Sequence, residues 1–122
     1  MDVIFTYTRA EAIADGVQFE CPLAKEAGFK FPVFITCGVN NIIKESLTYG
    51  LNDFNGVMWD ILMVLFATIK TNKTTGLKRL SFPVVINWDD KQTKTFTFMS
   101  EVGALDFDKP EPAITIMLPD ED

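Results

Sequence analysis

Leu80-Ser81-Phe82-Pro83-Val84-Val85-Ile86-Asn87-Trp88, Asp89-Asp90-Lys91-Gln92, Thr93-Lys94-Thr95-Phe96-Thr97-Phe98-Met99-Ser100-Glu101: the reading of this stretch decides the fold. Both flanks are rich in β-branched and aromatic residues, which suit a pleated, half-buried surface. In the second flank Thr93, Thr95 and Thr97 alternate with Lys94, Phe96 and Phe98, the period of a strand with one wet face. The four polar residues between the flanks read as a hairpin turn. A third strand is expected at 113–118, after a polar turn at 106–112 containing Pro110 and Pro112, and Pro119 stops it. Three consecutive strands with short links favour an antiparallel meander.

Upstream the chemistry is different. A strand is expected at 3–7. Thr8 then opens Thr-x-x-Glu with Glu11, a capping box for a short helix that ends at Gly16. Residues 17–19 alternate, as a second short strand or an extended stretch would. A second short helix is expected at 23–27, opened by Pro22 and closed by Gly28. Phe29, Phe31, Val33 and Ile35 alternate too, but Pro32 argues against a central strand there. Val39, Ile42, Ile43 and Leu47 make one helical stripe over 39–49. Asn55 is the expected cap of the next helix, which runs to about residue 69. That helix is apolar on nearly every side, with Trp59 and Phe66 as its large core residues, so a central, buried position is expected.

The fold class expected is therefore α+β: helices of the N-terminal half packed on a C-terminal antiparallel β-meander. No long linker divides the chain, which reads as one domain over 1–118 followed by an acidic tail, 119–122. With 122 residues, 48% apolar residues and eleven Phe, material for one core is plentiful. The longest apolar run, 57–69, is interrupted by Asp60 and Thr68 and is shorter than the ~20 residues of a membrane span. The start lacks the basic n-region of a secretory signal. Cys21 and Cys37 are too few for a disulfide framework and read as reduced, small apolar residues. A cytoplasmic location is expected.

Histidine is absent, which removes imidazole-based catalysis and most zinc chemistry. No GxxxxGK[ST], GxGxxG or GxSxG occurs. No catalytic residue and no cofactor or metal is assigned, and these absences weigh against an enzyme. Its charge is more informative. Residues 1–88 carry as many acids as bases, so the whole net charge of −6 lies in 89–122. Asp89, Asp90, Asp106, Asp108, Glu111, Asp120, Glu121 and Asp122 thus form a candidate surface for a partner protein with basic character. Direct nucleic-acid binding is not expected of such a chain. Self-association through an open strand edge is the other partner reading. Asp106-x-Asp108 with Glu111 has oxygen ligands for a hard cation but lacks the glycine and spacing of a calcium loop, and reads as a solvated turn.

A second grouping would serve a small ligand or an acid–base reaction. Asp60 is the one charge within an apolar helix, where burial would raise its pKa. Lys70, Lys73, Lys78 and Arg79 surround the helix-to-strand loop and suit a phosphate, while Arg9 suits a carboxylate.

Four blocks carry a resemblance: Tyr-Thr-Arg-Ala-Glu-Ala-Ile-Ala-Asp-Gly at 7–16, Ala-Lys-Glu-Ala-Gly-Phe-Lys-Phe-Pro-Val at 24–33, Trp-Asp-Ile-Leu at 59–62, and Ile-Thr-Ile-Met-Leu-Pro-Asp-Glu-Asp at 114–122. Across the whole domain the chain resembles a family of small bacterial proteins of unknown function carried by plasmids, conjugative elements and phages. It departs from that pattern at Phe19-Glu20, where the family has a valine–aspartate stretch. The family implies no catalytic residue. It implies an accessory protein of a mobile element that modulates a host protein.

Overall fold

The computed structural model describes residues 7–71, 78–89 and 92–121. The expected strand at 3–7 lies, but for Tyr7, outside them, as do Lys73, Asp90 and Asp122. In chain order the elements are α1 (Arg9–Ala14), β1 (Gln18–Glu20), a 3-10 turn (Pro22–Ala24), β2 (Val33–Thr36), α2 (Cys37–Ser46), α3 (Phe54–Thr71), β3 (Arg79–Asp89), β4 (Gln92–Asp106), β5 (Lys109–Met117) and a 3-10 turn (Pro119–Glu121).

The fold is α+β, with the antiparallel meander β3-β4-β5 as its larger part. Phe82 pairs with Phe98 and Val84 with Phe96, so aromatic and branched side chains meet across the hairpin. The sheet does not stop there. Its order is β1-β2-β5-β4-β3, so two short strands of the N-terminal half extend it. β2 runs parallel to β5, with Val33 opposite Ile114 and Ile35 opposite Ile116, and β1 returns antiparallel to β2. The expectation that Pro32 keeps this segment out of the sheet centre is corrected. The strand begins one residue later, and the Pro32 carbonyl accepts the Ile114 N–H at 2.9 Å. The polar turn expected at 106–112 is shorter, because β5 already begins at Lys109 and takes in Pro110 and Pro112. Pro83 and Pro112 obey the same limit. Pro83 lies on the outermost strand, β3. Pro112 pairs with Ala104 beyond the end of β2, and its nitrogen faces the same side as that of Ile114, where no ladder bond is lost.

α2, α3 and residues 21–27 cover one face of the sheet. Val39, Ile43, Val57, Ile61, Leu62 and Leu65 meet Phe82, Val84, Phe98, Ile114 and Ile116 in one core. Each such side chain withdrawn from water contributes about 1.5–3 kcal/mol. Phe34, Ala113, Thr115 and Met117, buried as well, alternate with these residues and so belong to the opposite face.

α3 is long and apolar enough, by length and composition, to cross a membrane. Here only one stripe of it, Val57, Met58, Ile61, Leu62 and Leu65, is buried. This corrects the expectation of a helix enclosed on all sides: α3 lies on a single sheet face, so Trp59 remains 36% exposed and Phe66 is half-buried against Phe29. The cap is corrected too. Asp53 Oδ1, not Asn55, accepts the Gly56 N–H at 2.6 Å. The α2–α3 connection is fastened by Asn52, whose Nδ2 donates to the carbonyls of Ser46 and Asn87 at 3.0 and 2.7 Å.

Candidate functional site

α1 has only six residues, too few to be stable alone, so its stability must come from what holds its ends. Its first N–H groups all find acceptors. Thr8 Oγ1 accepts from Glu11 N at 3.0 Å, and the Glu11 carboxylate accepts from Thr8 N at 3.1 Å, the capping box expected of Thr-x-x-Glu. The next two N–H groups, of Arg9 and Ala10, donate to the Asp106 carboxylate at 2.9 and 3.0 Å. Asp106 also accepts from Phe107 N at 2.8 Å. The Phe107 bond first, and then those of Arg9 and Ala10, hold the Asp106 carboxyl below the usual carboxylate range, with the Arg9 charge adding to them.

Arg9 completes the junction. Its Nε donates to the Leu105 carbonyl at 2.6 Å, its Nη1 to Gln18 Oε1 at 2.8 Å, and its guanidinium lies 4.1 Å from the centre of the Phe34 ring. Burial lowers its pKa, but an arginine stays charged throughout the working range. The side chain that sequence offered as a ligand hook is therefore engaged in joining α1 to β1, β2 and the end of β4.

Above this locked base the β4–β5 turn presents Phe107 at 65% exposure, flanked by exposed Asp108 and, further along, Glu111. Phe107 shares a shallow depression of about 400 Å³ with Tyr7, Thr8, Gln18 and Ala104. Tyr7 is itself 55% exposed and is steadied by donating its hydroxyl to Asp15 at 2.7 Å. The result is an exposed aromatic rim with carboxylates beside it. Large exposed apolar groups on an ordered turn are the kind of feature that protein interfaces use.

The predicted acids are not one surface. Asp89 lies at the β3–β4 turn, opposite Gln92, and Asp106 lies at the other end of β4, opposite Lys109. A strand of 15 residues separates the two turns. At ~3.3 Å per residue that is roughly 50 Å. The tail is a third location. Glu121 Oε1 accepts from Thr36 Oγ1 at 2.6 Å and from Leu118 N at 2.8 Å, and the carboxylate lies over the first turn of α2. Asp120 is exposed beside it.

The second grouping is not assembled either. Arg9 lies on the sheet face opposite α3, whereas Asp60 is exposed on α3 beside Leu51, Asp53 and Trp59. Lys70, at the far end of α3, sits 5.2 Å from the centre of the Phe66 ring. Lys78 is exposed, and Arg79 is bound to Glu101 at 2.6 Å on the outer strands. Among the described residues no three acidic or thiol side chains converge as a metal site requires. Cys21 and Cys37 are both free thiols.

Tyr7 and Phe107 were not singled out by sequence. The signal was present in Asp106-Phe107-Asp108, where a large apolar residue stands inside an otherwise polar turn. In comparison with known proteins, no family model, curated protein or solved structure matches the chain.

Proposed function

We propose that the protein is a non-enzymatic interaction module of a mobile genetic element, cytoplasmic, which modulates a host protein by docking on it. The exposure of Phe107 on a turn whose base Asp106 locks to α1 is the observation that carries this reading. An aromatic side chain has only two rotatable bonds, so it offers a large contact area at little cost in conformational entropy. Asp108 and Glu111 beside it select a partner with basic character around an apolar slot. Asp89 lies at the opposite end of β4 and Glu121 is engaged with Thr36, so the docking surface is smaller than the full acidic set. The family resemblance supports a host target.

The test is capture of tagged protein from host extract, with nuclease, at low and high salt. A stoichiometric protein partner is expected at low salt, and the charge reversals Asp108→Lys and Glu111→Lys together release it. Capture that is indifferent to both salt and charge reversal contradicts the reading, as does an empty capture.

A further inference from the structure

A separate cavity of about 220 Å³ opens between the Pro22–Ala24 turn, β1, and the first turns of α2 and α3. Its walls include Phe19, Leu23, Ile35, Phe54 and Met58. Asn40, at the end of the first turn of α2, borders it as well and is only 6% exposed. The Asn40 carboxamide makes no hydrogen bond to another described residue. Every described side-chain polar atom that is sealed off has a partner, so the Asn40 amide is open to the cavity it lines. An amide in that position is reached by solvent through the cavity, and a ligand with matching donor and acceptor can take the place of that water.

Size and chemistry limit the ligand. A dry cavity of ~150 Å³ takes benzene, and drug-sized molecules occupy ~300 Å³ or more. A carboxamide offers a donor and an acceptor side by side. Glu20 at the rim disfavours an anion. We propose that this cavity binds a small, neutral, one- or two-ring cyclic amide, whose N–H and C=O pair with the Asn40 side chain while its rings occupy the apolar walls. The site does not depend on the Phe107 surface.

The full chain, labelled with nitrogen-15, is titrated with the two-ring lactam 2-quinolinone and, separately, with quinoline, which lacks the N–H donor. Saturable shifts of the Asn40 side-chain NH2 signals are expected with the lactam, which should bind more tightly than quinoline. Asn40→Leu removes an unpaired amide and should fold. It is expected to weaken the lactam roughly tenfold while leaving quinoline little changed. Leu23→Trp, at a half-buried wall position, should weaken both. The absence of saturable shifts at about millimolar probe overturns the site. Lactam binding that Asn40→Leu does not weaken overturns the ligand class, and binding unchanged in both variants places the probe elsewhere.

Discussion

Asp106 accepts the backbone N–H of Arg9 at 2.9 Å across 97 residues of chain, so the first helix is capped by the last hairpin. Local sequence supplies half of the α1 cap through Thr8 and Glu11, and the β4–β5 turn supplies the rest. The same carboxylate fixes the base from which Phe107 projects.

This cap is sensitive to acid. The Asp106 carboxyl is depressed, first by the Phe107 N–H and further by those of Arg9 and Ala10. A depressed folded value stabilises the native state above the unfolded pKa, about 4, and that contribution is lost as pH falls through the folded value. Protection factors of the Arg9 and Ala10 amides should therefore drop in acid before those of β4 do. Asp106→Ala should lower them at neutral pH and abolish the dependence. Equal protection in wild type and Asp106→Ala contradicts this role.

Glu121 should act as an anionic cap for α2. It holds Thr36 Oγ1 at 2.6 Å, and a Cβ on Gly38 would stand 2.5 Å from its Oε2. Glu121→Ala is expected to cost about 0.3–1 kcal/mol, and the loss should shrink in high salt. Gly38→Ala should displace the carboxylate and make the further change Glu121→Ala nearly neutral. Chemical denaturation of the two single variants and the double variant measures this coupling.

Asp53→Ala should cost about 1 kcal/mol, because the first turn of α3 loses its side-chain acceptor. Asn55→Ala, which removes no cap, should lie within about 0.5 kcal/mol of wild type. Urea midpoints of the two variants decide between Asp53 and Asn55.

Cys21 should resist alkylation in the folded protein. It is 5% exposed, and burial pushes its thiol pKa up, so little thiolate forms near neutral pH. Mass spectrometry after brief iodoacetamide treatment should find Cys37 modified first, with Cys21 following only on unfolding.

Much of this fold is legible locally. The threonine–phenylalanine alternation of β4 and the Thr8–Glu11 box depend on neighbours a few residues away, and both take the expected form. The parallel pairing of Val33 with Ile114 does not, because it joins segments 81 positions apart in the numbering, with no turn between them to announce it. Pro32 misleads for the same reason: its effect depends on where the strand begins. The acidic residues crowd the end of the sequence, yet β4 carries Asp89 and Asp106 to opposite ends of the sheet. Charge counted along a chain does not report distance in a hairpin. The exposure of Trp59 likewise depends on α3 having one sheet to cover rather than two.

The central claim is that Phe107 and its turn meet a partner protein. Phe107→p-benzoylphenylalanine places a photo-cross-linker at the turn, and Val85→p-benzoylphenylalanine places one at a position that is 60% exposed on the outermost strand. Irradiated in host cells, the first variant should join to one host protein, and the second should not. Equal cross-linking from both positions, or none from 107, would contradict the account.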